Sequence, residues 1–236
     1  MVSTMNIIAY KDLTLEVRRS SRRRTVGITV ERDGSLILSA PEQTPESKLQ
    51  EIVHQRSQWI YKHLIRKEIL NPSVPEKEYV SGEGFPYLGR NYRLQVIADD
   101  ASQEKLKYYR GRFQLQQSSQ HQGRELFIEW YKSHLKAHLQ SKVEQFKHRV
   151  EVNPNSIQIR ELGNRWGSCS TKGDLYFHWR VAMLPSNIVN YVVVHEMAHL
   201  KERRHNQTFW ETIECILPDY QDSKQWLATQ GIYYDL

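Results

Sequence analysis

From Leu13 to Leu38 apolar and polar side chains alternate: Leu13, Leu15 and Val17 are interleaved with Thr14 and Glu16, and Val26, Ile28 and Val30 with Gly27 and Thr29. A period of two puts each set on its own face of a pleated strand, so residues 7–40 predict a small antiparallel sheet. Arg32-Asp33-Gly34-Ser35 is read as its hairpin turn before Leu36-Ile37-Leu38. From Thr44-Pro45-Glu46 the period lengthens to that of a helix running to about Ile69, with Leu49, Ile52, Val53, Trp59, Ile60 and Leu64 facing inward. Asn71-Pro72-Ser73-Val74-Pro75 ends it. Alternation returns between Tyr79 and Leu115, as in Tyr92-Arg93-Leu94-Gln95-Val96, with turns at Gly82-Glu83-Gly84 and Leu88-Gly89-Arg90.

Gln116 to Gln122 carries no apolar residue and reads as a linker, which divides the chain into residues 1–120 and 121–236. Glu125 to Val150 predicts a long helix with Leu126, Trp130, Leu135, Leu139, Val143 and Phe146 toward the core. Ile157 to Leu162 and Leu175 to Trp179 predict two strands joined by a turn region from Trp166 to Gly173. Pro185-Ser186 offers a stop and a hydroxyl cap for a helix from Asn187 to about Leu200. A further helix from Asn206 to Leu217 has Thr208 and Glu211 spaced as a capping box. No internal repeat is evident. The expected fold class is α+β, with a strand-rich, antiparallel N-terminal region before a region of helices and sheet.

Within the third of these helices, Val192-Val193-Val194-His195-Glu196-Met197-Ala198-His199-Leu200 sets two histidines four positions apart in an apolar run. They share one face, roughly 6 Å apart along the axis, and can hold one metal ion together. Glu196 is rotated by about 100°, where it can serve as a base toward a metal-activated water. Zinc is the expected ion, since it takes neutral imidazoles and a catalytic site has three protein ligands. His205 is the first candidate for the third place, with Glu211 and Glu214 on the next helix as alternatives. His205 would point away if the helix ran on, so the helix must break in the polar run Lys201-Glu202-Arg203-Arg204. That run lacks the Gly that makes a sharp reversal easy, and Glu202 stands where the metzincin pattern has Gly.

Composition narrows the setting. The 236 residues carry a net charge of +6, concentrated in Arg18-Arg19-Ser20-Ser21-Arg22-Arg23-Arg24. This cluster could meet nucleic-acid phosphates, but no nucleic-acid module accompanies it, and a solvated hairpin or edge strand is the favoured reading. With only Cys169 and Cys215 and no secretory segment, free thiols and a cytoplasmic location are expected. No stretch has the roughly 18 apolar residues of a membrane span. His134 and His138, four apart in a Lys-rich polar stretch, read as a solvated face rather than a second metal pair. Nothing beside Cys169 argues for a nucleophilic thiol, and Trp166 and Trp179 read as packing beside a cleft.

The order Asn164-Arg165-Trp166-Gly167-Ser168-Cys169, Trp179-Arg180, Leu184-Pro185, Tyr191 to Leu200, His205, Phe209-Trp210, Pro218-Asp219-Tyr220 and Trp226-Leu227 resembles the YgjP-like metallopeptidases, zincins related to the SprT-like and WLM groups. The distinctive part spans about residues 157–227. The resemblance implies zinc on His195, His199 and His205 with Glu196 as base, and so favours the histidine over Glu211 and Glu214. His178 stands where the family pattern leads one to expect Asn. The expected activity is peptide-bond hydrolysis of a peptide or protein substrate. Asn164, Arg165 and Tyr191 are candidates to stabilise the oxyanion. A nucleic-acid-associated protein with a structural metal, or a metal hydrolase of a non-peptide amide, are the alternatives.

Overall fold

The computed structural model describes residues 7–30, 35–70, 76–99 and 104–236. The chain forms two compact units, Met1–Ser73 and Val74–Leu236. The expected hairpin turn at Arg32-Asp33-Gly34 and the helix stop at Asn71-Pro72-Ser73-Val74-Pro75 lie outside the described residues.

The first unit contains β1 (Ile7–Tyr10), β2 (Leu13–Ser20), β3 (Gly27–Val30), β4 (Leu36–Pro41) and α1 (Glu46–Leu70). Alternation along β2 buries Leu13 and Leu15 and exposes Thr14 and Glu16, as a half-buried strand requires. The sheet is not purely antiparallel. Its order is β1-β2-β4-β3, with β2 parallel to β4 and the other two pairs antiparallel. The reason lies in β4, where Leu36, Ile37 and Leu38 are all buried, so this strand sits inside the sheet and takes a partner on each side. The arginine-rich segment between β2 and β3 is therefore a crossover and not a hairpin. Two arginines just before it, at the end of β2, serve the fold: Arg18 pairs with Glu16, and Arg19 donates to the carbonyls of Glu42 and Thr44. On α1, Leu49, Val53 and Ile60 are buried against the sheet residues Ile8, Leu15 and Leu38. Trp59, one position and thus about 100° away from Ile60, is instead 38% exposed and stacks on His63.

The second unit begins with the same topology. Its strands β5 (Gly84–Tyr87), β6 (Arg90–Ile97), β7 (Leu106–Tyr109) and β8 (Arg112–Gln116) are ordered β5-β6-β8-β7, again with only the middle pair parallel. Both units continue into a long helix, here α2 (Gly123–Val150). The architecture thus repeats where the side chains do not. Gln117–Gln122 is a short 3-10 helix rather than a linker. Gln116 and Ser119 are buried, and Asp99 accepts from both the amide and the hydroxyl of Ser118, so polarity here is satisfied internally. The unit boundary falls instead between Ser73 and Val74.

On α2 the buried stripe runs through Phe127, Tyr131, Leu135, Leu139, Val143, Phe146 and Val150, with Leu126 at its margin. His134 is exposed and stacks on Trp130. His138 is not solvated as expected: it is half-buried, and its Nε2 has no hydrogen-bond partner among the described residues. After α2 come β9 (Ser156–Arg160), β10 (Gly167–Cys169) and β11 (Asp174–His178), in the order β10-β11-β9. β10 occupies what the sequence suggests is a turn; three small residues are too few to show alternation. It pairs antiparallel with β11, which lies parallel to β9.

Candidate metal centre

Three helices complete the second unit: α3 (Ser186–Ala198), α4 (Gln207–Ile216) and α5 (Tyr220–Gln230). Pro185, rather than Ser186, is the residue before the first turn of α3, and its carbonyl accepts from the Val189 amide. Gly89 braces this start. Its φ is +79°, and a side chain there would stand 2.8 Å from the Pro185 Cα, so only glycine fits the β5–β6 turn against the helix. Ile188, Val189, Val192, Val193, Val194 and Met197 are buried, which makes α3 a core helix on most of its circumference.

α3 ends at Ala198, one residue before His199. The chain then turns with Leu200, Lys201 and Glu202 donating back to the carbonyls of Met197 and Ala198. No residue from His199 to Asn206 has positive φ. That is why the reversal needs no glycine and Glu202 is tolerated at its centre. The turn closes on Asn206, whose side-chain oxygen accepts from the Phe209 amide at 3.0 Å and caps α4. Thr208 and Glu211 are not the capping pair; Glu211 accepts from Gln207 within the helix.

This path brings His195, His199 and His205 together. One nitrogen from each lies within 4.8 Å of the other two, and the Nε2 atoms of His195 and His205 are 3.2 Å apart. Glu211 and Glu214 are exposed and stand outside the cluster. The outer nitrogens are tied back: His199 Nδ1 donates to the Glu202 carbonyl at 3.1 Å, and the Tyr191 hydroxyl is 3.5 Å from His195 Nδ1. Such partners fix the ring and leave the opposite nitrogen with its lone pair toward a metal. Phe209, fully buried, lies 4.6–5.0 Å from all three imidazoles, and Trp210 stacks on His205. The Phe209 ring is a floor that the metal-ligand pattern alone does not reveal.

Electrostatics suit ligation. Burial, with His199, His205 and Lys224 adding to it, brings the His195 pKa down to about 3. Burial also lowers that of His199, against the pull of its bond to the Glu202 carbonyl. Both rings are therefore neutral near pH 7, the form that binds metal. The Glu196 carboxyl goes the other way, raised by burial to about 8, with Arg165 opposing the shift. Cys169 is no activated nucleophile: burial raises its thiol pKa and Glu196 raises it further.

A cavity of about 480 Å³ opens over these groups. Asn164, Arg165, Trp166, Tyr191 and the residues of β10 line it along with the three histidines and Glu196. Trp166 thus borders the cleft, whereas Trp179 is in the core, where its indole N–H donates to Glu161. His178 bonds Glu161 through Nε2 and accepts from the Arg180 amide through Nδ1. Among the described residues no helix is long and apolar enough to cross a membrane, and both cysteines are free.

No match to this chain is found among curated proteins. A solved structure, the metallopeptidase zymogen of Pyrococcus abyssi abylysin, is similar at 23% identity over 39% of this chain and 93% of its own, with a TM-score of 0.37. The YgjP-like metallopeptidase domain matches over residues 24–230, across both units and through the whole histidine cluster, and the chain belongs to that family.

Proposed function

We propose that this metallopeptidase cuts peptide bonds with zinc held by His195, His199 and His205 and with Glu196 as general base. The observation that carries this reading is the convergence of three imidazole nitrogens in the wall of a cavity that also presents the Glu196 carboxylate. The 3.2 Å between His195 Nε2 and His205 Nε2 suits this donor set, since two Zn–N bonds of about 2.0–2.1 Å at a tetrahedral angle put their nitrogens about 3.3 Å apart. When bound, zinc supplies a Lewis acid that polarises a carbonyl and lowers the pKa of water to about 7.

The remaining work belongs to the chain itself. His195 and His199 stay neutral through burial, and the Glu202 carbonyl and Tyr191 hydroxyl hold them in orientation. Glu196 takes a proton from the attacking water and returns it to the leaving amine; its raised pKa suits a group that must both accept and donate near neutrality. β10 is an edge strand beside the cavity, so its free backbone groups can pair with an extended substrate.

Two measurements test this. Glu196→Gln should retain zinc and lose hydrolysis of a mixed peptide library. Replacing each of the three histidines by Ala should release zinc; zinc retained in all three variants at the level of the unaltered chain would sink the assignment.

A further inference from the structure

We propose that the cavity selects peptides that carry a carboxylate close to the bond that is cut. This rests on the peptidase reading above and names its substrate class. The observation is the charge of the cavity wall. Arg165 and Arg203 both line it, and Glu196 is the only acidic side chain among the lining residues.

The two arginines flank β10. Arg165 lies two residues before Gly167, in the loop from β9, and Arg203 comes from the turn between α3 and α4. Its Nη2 donates at 3.2 Å to the carbonyl of Thr171, two residues past Cys169. A peptide extended along β10 therefore meets a guanidinium near each end of the strand. Arg203 spends one of its donors on Thr171, which holds it at the rim and leaves the others for a ligand. The Arg165 guanidinium makes no hydrogen bond or ion pair among the described residues, and its charge is felt at Glu196. Lys224, 3.9 Å above the Trp210 ring, adds positive potential at His195.

A planar guanidinium binds a carboxylate through two parallel hydrogen bonds, and a concave wall of one sign concentrates the opposite charge. The carboxylate has two possible sources, an acidic side chain or the free C-terminus of the substrate. Both present the same group to Arg165 or Arg203.

Binding decides the matter without turnover. The Glu196→Gln chain, with added zinc, is titrated by calorimetry with acetyl-Ala-Ala-Ala-Glu-Ala-amide and its Gln isostere, and with acetylated penta-alanine as free acid and as amide. At least one carboxylate peptide should bind about tenfold more tightly than its neutral counterpart, and the ratio should fall toward one after Arg165→Gln or Arg203→Gln. An advantage for the Glu peptide assigns the side chain as the source; an advantage for the free acid assigns the C-terminus. Equal binding of charged and neutral peptides, including none by either, overturns the proposal, as does a preference that survives both arginine replacements. Hydrolysis of the library by the unaltered chain is read separately. Cleavage without charge preference removes only this inference, whereas charge preference without cleavage removes only the peptidase reading.

Discussion

Gly167 lies directly against Glu196: a Cβ added to Gly167 would stand 2.5 Å from the Glu196 Cγ and 2.6 Å from Oε1. The first residue of β10 is thus a wall for the proposed base, and its lack of a side chain sets where that carboxylate sits. Glu196 is buried on a core helix and has little room to retreat. Gly167→Ala should therefore leave zinc content unchanged while lowering kcat about a hundredfold, the scale of a displacement near 1 Å at a reacting group. Zinc analysis and steady-state kinetics on the same preparation check it. An unaltered kcat would mean that Glu196 does not depend on this contact.

Stability distinguishes His205, the proposed third ligand, from Glu211 and Glu214. A metal that binds the folded chain at a hundred times its Kd stabilises it by about 2.7 kcal/mol. Added zinc should raise the Tm of the unaltered chain, of Glu211→Ala and of Glu214→Ala alike, since those two carboxylates stand apart from the cluster. His205→Ala should lose most of the rise. A full zinc response in His205→Ala would move the third ligand elsewhere.

The turn that delivers His205 is held at its far end by the Asn206 cap on the Phe209 amide. Asn206→Ala should lower the unfolding free energy by about 1 kcal/mol, the usual cost of losing such a cap, and Asn206→Asp should restore most of it. Because Phe209 floors all three imidazoles, the Ala variant should also bind zinc less tightly. Urea denaturation with and without zinc measures both effects.

What could be read from the amino-acid order depended on whether the information was local. The helix that carries His195 and Glu196 was legible because the apolar run from Tyr191 to Leu200 and the two histidines share one helical period. The placement of His205 was legible only as a requirement that the helix break, and the break uses ordinary φ values that leave no glycine signature. β10 was invisible, since Gly167, Ser168 and Cys169 show neither alternation nor branched side chains. The parallel pairs β2/β4 and β6/β8 could not be foreseen, because alternation assigns faces and says nothing about neighbours. Gln116 to Gln122 misled for a different reason: its polar side chains and backbone find partners such as Asp99 that lie far off in sequence.

His138 should make stability depend on pH. Its half-buried imidazole has an Nε2 without a partner among the described residues, and burial, with Lys142 adding to it, lowers its pKa from the ordinary 6.5. In the unfolded chain the ring titrates near that ordinary value. Between the two pKa values the unfolded chain binds more protons than the folded one. The contribution of this residue is therefore complete above about pH 6.5 and is lost as pH falls toward the folded value. His138→Leu puts an apolar side chain at the site and removes the titrating group. Its urea midpoint should fall less than that of the unaltered chain between about pH 7 and pH 5. Parallel midpoint curves for the two chains over that range would show that His138 is as easily protonated in the fold as in water.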